Sequence, residues 1–218
     1  MNSVWYVAYG SNLALNRFRC YVSGGRPAGG MRDYIGCRDP SEPADILSLH
    51  IPGGLVFSGE SKVWTGGSAF YDPYAGTRVA ARAYLITTDQ FADVVAQEMR
   101  RPPGGPFALA LSAVAQSVET VHAMGPGRYE TITRVGLRDG VPMLTMTHGE
   151  AADLEPSAPS AAYLTWIAAG LREAHGWDAG EIADYLGNAV GVKGRWGREE
   201  LVAVVGSSSH ISYRMKLI

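Results

Sequence analysis

The chain has little cysteine, little charge and no long apolar run, and each shortage removes a class of protein. Only two cysteines, Cys20 and Cys37, occur in 218 residues, with no C-x-x-C pair. That excludes a disulfide scaffold and gives no redox motif. No window approaches 18 consecutive apolar residues, so no membrane-spanning helix is expected. The first residues, MNSVWYVAYGSN, lack a basic stretch followed by an apolar one, and a soluble cytoplasmic protein is the expectation. Charged residues make up 18%, below the usual quarter, and a net charge of −2 gives no electrostatic reason to expect nucleic acid or an anionic membrane as partner. His50, His122, His148, His175 and His210 are scattered without H-E-x-x-H spacing, so no metal site is expected. No serine lies in a G-x-S-x-G elbow, and the glycine run Gly24–Gly30 lacks the ending of a phosphate loop.

Glycine, by contrast, is abundant. The 27 glycines are about 12% of the chain, against roughly 7% on average, and they follow no G-x-y period. Such an excess predicts tight turns and close backbone approaches. With 46% hydrophobic residues, the composition is that of a folded domain with a core.

Local patterns predict a mixture of strands and helices. Val4–Tyr9 reads as a buried strand, with a short helix at Ala14–Phe18. Residues 22–62 read as long loops with short strands at Ile46–Ile51 and Leu55–Phe57. Val63–Tyr71 reads as a strand whose Gly66-Gly67 pair marks a bulge or a close backbone contact. After a strand at Val79–Ile86, Thr87 and Gln90 form a capping box for a helix running from about Thr88 to Arg100, which Pro102–Pro106 ends. Phe107–Val121 fits helix or strand. Tyr129–Val135 and Val141–Thr147 make a hairpin across Gly136–Gly140. Ser160–His175 is an amphipathic helix stopped by Gly176, followed by a helix at about Ala179–Leu186 and a strand-like segment at Ile211–Leu217. Connections this short favour antiparallel pairing and an α+β fold.

Two features carry chemistry. Tyr9-Gly10-Ser11-Asn12-Leu13 sits between a strand and a helix, where successive backbone N–H groups can hold a carboxylate or an oxyanion. An ordinary turn with Ser11 or Asn12 as helix cap fits the same residues. Glu98 lies seven residues after Phe91, on the face that also carries Val94 and Val95. Burial there would raise its pKa toward neutrality, as a general acid/base requires. A helix frayed ahead of Pro102 would instead let Glu98 reach water. Tyr129 and Tyr163 fit core positions with the hydroxyl at a rim.

Together these residues resemble the γ-glutamylcyclotransferase-like family. Tyr9–Leu13 followed by Arg17 resembles its Y-G-S-N-L-x-x-x-R signature. Trp64-Thr65-Gly66-Gly67 resembles its aromatic–Gly-Gly strand, Gln97-Glu98 falls at its catalytic glutamate, and Pro156-Ser157 through Tyr163 resembles the segment opening its late helix. The similarity spans about residues 4–175. It implies a small, mostly antiparallel β-barrel flanked by helices, a domain at 1–176 with an insertion at about 100–127, and a C-terminal extension at 177–218 packed on it. It further implies Glu98 as the acid/base and Tyr9, Gly10, Ser11, Asn12, Leu13, Tyr129 and Tyr163 as substrate-binding residues. The implied reaction closes a γ-glutamyl amide or peptide to 5-oxoproline and releases the amine, without metal or cofactor. Hydrolysis by the same glutamate, or a non-catalytic binding module, are the alternatives. The chain departs from the family after Glu98. Met99 stands where glycine is usual, and about thirty residues intervene before Tyr129, which leaves the leaving group undefined.

Overall fold

The computed structural model describes residues 2–207. β1 (Ser3–Ala8) runs through the middle of the molecule and is buried on both sides. A 3-10 turn over Ser11–Leu13 leads into α1 (Leu15–Ser23), which is longer than the helix predicted at Ala14–Phe18. β2 (Asp45–Pro52) and β3 (Gly54–Ser58) follow, then β4 (Ser68–Asp72) and β5 (Arg78–Thr87). Only the second half of the strand expected at Val63–Tyr71 forms. Thr65 and Gly66 adopt φ of 63° and 61°, which no strand accommodates, and they make a turn instead.

α2 (Thr88–Glu98) starts at the expected capping box, with Thr87 accepting from the Gln90 N–H. The ambiguous stretch resolves into α3 (Pro106–Val114), a 3-10 turn (Ala115–Ser117) and an edge strand β6 (Val121–Ala123). β7 (Thr131–Arg138) and β8 (Val141–Thr147) form the predicted hairpin. Its turn is tighter than expected, because Asp139 and Gly140 both take positive φ and close it in two residues. α4 (Ala161–His175), capped by Ser160 and ended by left-handed Gly176, matches its pattern. α5 (Ala179–Gly187) was foreseen; α6 (Arg198–Gly206) was not. The segment read as a strand at Ile211–Leu217 lies outside the described residues.

The chain is therefore α+β. Six strands form one sheet in the order β2-β5-β1-β8-β7-β6, and β3-β4 form a second, two-stranded sheet. Every pairing between these strands is antiparallel except β1 with β8. Thr147 joins the sheets: its hydroxyl accepts from Tyr71 N–H at 3.0 Å and donates to Tyr71 C=O at 2.7 Å. Alternation along β1 sends Val4, Tyr6 and Ala8 against α1, α2 and α3. Trp5, Val7 and Tyr9 face a second cluster that includes α4, α5, α6 and the small sheet. The insertion and the C-terminal helices thus contribute to the two cores.

Gly170 lets α4 approach the turn after β1. A Cβ there would stand 2.3 Å from Leu13 Cβ and 2.4 Å from Ala14 N, distances that no rotamer change relieves. We predict that Gly170→Ala destabilises the protein by about 1–3 kcal/mol through overpacking. Gly187→Ala, whose Cβ would meet only Leu201 Cδ1 at 3.5 Å, should be neutral or stabilising by up to about 1 kcal/mol. Equal urea midpoints for the two variants would contradict this reading.

Candidate active site

The turn after β1 is built around its own backbone. Leu13 N–H donates to Gly10 C=O and Ala14 N–H to Ser11 C=O, which leaves the N–H groups of Gly10, Ser11 and Asn12 at the open start of the 3-10 turn. From beneath, Tyr84 donates its hydroxyl to Asn12 C=O at 2.7 Å and Arg82 donates to Leu13 C=O at 3.0 Å. A side chain at Gly10 would crowd the cleft, since its Cβ would stand 3.1 Å from the Tyr163 hydroxyl. Leu13 does not line the cleft that Glu98 faces. Its side chain is fully buried and its N–H is consumed by the turn, so the structure gives it a packing role.

Glu98 is the last residue of α2, and the end of that helix does not fray. Arg100 N–H donates to Gln97 C=O and Arg101 N–H to Ala96 C=O, the pair of bonds that closes a helix through a left-handed residue. That residue is Arg100, with φ of 58°, where glycine is the usual occupant. Gln97 is fixed from both sides, donating to Tyr21 C=O at 3.0 Å and accepting from Gly36 N–H at 3.2 Å. The insertion is tied down close by. Buried Asp93 accepts from Gly104 N–H and from Arg38, and buried Glu130 accepts from Arg101 and Gly127 N–H.

Held in this way, half-buried Glu98 faces a cleft with two compartments. The inner one, about 30 Å³, is bounded by the turn (Tyr9, Gly10, Ser11, Asn12) together with Tyr6 and Ala69. The outer one, about 200 Å³, opens past Arg17 and Trp64. Ser11, Glu98, Tyr129 and Tyr163 line both, so Glu98 stands at the junction. The structure therefore brings Glu98 together with six of the seven expected binding residues, Leu13 being the exception.

The tyrosines differ in what their hydroxyls have left to offer. Tyr9 donates to Met146 C=O at 2.8 Å and Tyr129 to Ala69 C=O at 2.9 Å, so both protons are engaged. Tyr163 instead accepts from Ala69 N–H at 3.4 Å, which leaves its own proton for the cleft. Trp64 stacks on Tyr163 at 6.4 Å and an interplanar angle of 8°. Gly66 and Gly67 follow Trp64 and lie against the backbone of residues 157–160. A Cβ on Gly67 would fall 2.2 Å from Ser157 C=O, the close backbone contact that the glycine pair predicted.

Two buried polar groups in the cleft have atoms without a partner among the described residues. Asn12 gives its amide nitrogen to the Tyr6 hydroxyl at 3.0 Å, but its Oδ1 has none. Arg17, 2% exposed, donates from Nη2 to the hydroxyls of Tyr21 and Tyr34 and stacks on both rings, while its Nε and Nη1 have none. Tyr6, Tyr21 and Tyr34, and any binding role for Arg17, escaped the sequence reading. One signal was present. Arg17 shares the buried face of α1 with Phe18, Tyr21 and Val22, an arginine where an apolar residue belongs. Tyr34 comes from a loop and carries no periodic signal.

The site residues and their order resemble the γ-glutamylcyclotransferase-like family. Among solved structures, the chain is similar to a protein named gamma-glutamyl cyclotransferase, with 16% identity, 94% of this chain and 99% of that one covered, and a TM-score of 0.47. It is also similar to an uncharacterized Homo sapiens protein (17% identity, 80% and 82% covered, TM-score 0.47) and to YkqA from Bacillus subtilis (15%, 79% and 49%, 0.39). Histone deacetylase 5 of Arabidopsis thaliana is 31% identical over 202 residues, which cover 86% of this chain and 31% of that protein. The chain spans about a third of the length of that curated relative. No protein-family model matches the chain. No helix among the described residues is long and apolar enough to cross a membrane, and no group of three or more His, Cys, Asp or Glu there is arranged to hold a metal ion.

Burial, above all, lifts Tyr6, Tyr9, Tyr21, Tyr129 and Tyr163 over their ordinary 10.0, and the charge of Glu98 adds to the rise in each. A raised folded-state value favours the protonated fold, so this stability is complete below about pH 10 and is lost as pH climbs through the folded values. Alkaline titration is expected to release tyrosinate absorbance together with the loss of far-ultraviolet dichroism, above pH 10. Ionisation of all the tyrosines near pH 10 with the dichroism intact would overturn it.

Proposed function

We propose that the protein is a γ-glutamylcyclotransferase-type enzyme, converting a γ-glutamyl amide or peptide to 5-oxoproline and a free amine. The observation that carries this reading is the position of Glu98, between a small inner chamber and a larger outer one, with an unpartnered acceptor in the inner chamber.

The inner chamber, about 30 Å³, suits the α-carboxylate end of a glutamyl group, whose remaining atoms would lie at the junction beside Glu98. Its α-carboxylate would take the open N–H groups of Gly10, Ser11 and Asn12 at the start of the turn. Its α-amine would donate to Asn12 Oδ1, which lacks a partner, and to Glu98. The chain then has to fold back on itself so that the amine nitrogen meets the γ-carbonyl carbon. Walls on several sides favour that folded conformer, and the attack is intramolecular, so positioning supplies much of the acceleration.

As the new C–N bond forms, the attacking nitrogen loses a proton to Glu98 and the carbonyl oxygen becomes an oxyanion. The Tyr163 hydroxyl, whose proton goes to no group among the described residues, would donate to it. Collapse reforms the carbonyl and breaks the old C–N bond, while Glu98 returns the proton to the departing nitrogen. One proton is taken and given back, and neither water nor a second reactant is consumed.

Glu98→Gln keeps the shape and removes the base. We expect turnover, measured as 5-oxoproline release across a panel of γ-glutamyl amides, dipeptides and glutathione, to fall by at least about 10²-fold with the melting temperature preserved. Activity near wild type in a folded variant would take Glu98 out of the mechanism. Free glutamate in place of 5-oxoproline would assign hydrolysis instead.

A further inference from the structure

The outer chamber has a charge that the chain as a whole does not. The protein carries a net −2, yet the outer chamber is lined by five basic side chains, Arg17, Arg32, Lys62, Arg100 and Arg128, against the single carboxylate of Glu98. Among the described residues none of the five forms an ion pair. Their protein contacts are to neutral groups. Arg32 donates to Gln97 C=O, Arg128 to Glu60 C=O, and Arg17 to two tyrosine hydroxyls.

Two of these guanidinium groups are incomplete. Arg17 keeps Nε and Nη1, and Arg128 keeps Nη2, buried without an acceptor. A buried cation whose N–H groups face nothing is costly, and a carboxylate seated across them removes that cost. Arg100 adds an independent sign. It occupies a left-handed position that glycine fills without strain, and its side chain lines the outer chamber. Strain kept at the mouth of a cleft is a mark of use there.

We propose that the outer chamber is an anion subsite that selects γ-glutamyl substrates whose leaving amine carries carboxylate groups, as an amino acid or acidic peptide does, over neutral or cationic amines. This rests on the cyclotransferase reading for its orientation, with the glutamyl group inside and the leaving group outside Glu98. Arg17 is the deep anchor, and Arg100 and Arg128 hold charge nearer the opening.

The test compares γ-glutamyl-glutamate, γ-glutamyl-alanine, γ-glutamyl-ethylamide and γ-glutamyl-putrescine, which share a head and differ in leaving-group charge. The expected order of kcat/KM is dicarboxylate, monocarboxylate, neutral, cationic, with at least about a tenfold gap between the first and third. The gap should shrink in 0.5 M salt and in Arg100→Gly and Arg128→Gln. Arg100→Gly should at the same time raise the melting temperature by relieving the left-handed arginine, which separates lost selectivity from lost folding. Equal or better turnover of the ethylamide or putrescine amide would overturn the anion subsite and leave cyclisation standing. If no compound yields 5-oxoproline, the cyclotransferase reading fails. Calorimetric binding of γ-glutamyl-glutamate against the ethylamide then decides the subsite alone, equal affinities overturning it.

Discussion

The site depends on how one short turn is clamped. Residues 11–13 lie between β5 and α4 and are held from both. Arg82 and Tyr84, on β5, take the carbonyls of Leu13 and Asn12, while Glu173, on α4, accepts from Leu15 N–H and pairs with Arg82 at 2.8 Å. Gly170 removes the one side chain that would keep the helix away. A turn fixed through its carbonyls keeps its first N–H groups out of its own hydrogen bonds, on residues that line the cleft. An isolated 3-10 turn would not hold such geometry, since its hydrogen bonds are poor and few. Here the surrounding sheet and helix over-determine it.

The second requirement is that a carboxylate be delivered to that turn and left available. The acids that tie the cleft together contrast with Glu98. Asp93 and Glu130 are buried, and each is occupied by an arginine and a backbone N–H. Glu98 has no ion pair among the described residues. Phenols and the cations of the outer chamber surround it, and among the described residues none of those cations forms an ion pair with it. A carboxylate that no cation holds in an ion pair keeps its charge available, which is what the proposed role of accepting and returning a proton requires.

Much of this was readable in the residues, and what was not has definite causes. The Thr87–Gln90 capping box and Gly176 are local devices, and each marks a helix end correctly. Gly66-Gly67 reads as a bulge or a close approach inside a strand, because the pattern shows crowding without showing φ, and the left-handed Thr65 and Gly66 make a turn. Leu13 was counted with its motif. Motif membership does not distinguish the residues that face the cleft from the one that plugs the core. Arg17 and Tyr34 meet across a gap of 17 residues through a loop, so no periodicity links them. The sheet order, which puts β1 beside β8, is likewise a long-range outcome set by burying both faces of β1.

The insertion after Glu98 serves the site through its first residues more than through its bulk. α3 and β6 extend the fold away from the cleft, packing Ala108 and Leu111 against α2 and adding an edge to β7. What reaches the cleft is the way in, at Met99 and Arg100, and the way out, at Arg128 and Tyr129. Arg101 and Glu130 pair across the two ends and draw them together, so the excursion of about thirty residues begins and finishes at the same rim. A longer connection costs little extra closure entropy once its ends are pinned. The rim can therefore carry arginines from both ends while the helix bearing Glu98 keeps its place. This separates two parts of the cleft physically: the clamped turn and α2 set the inner compartment and the position of Glu98, and the ends of the insertion supply charge to the outer chamber.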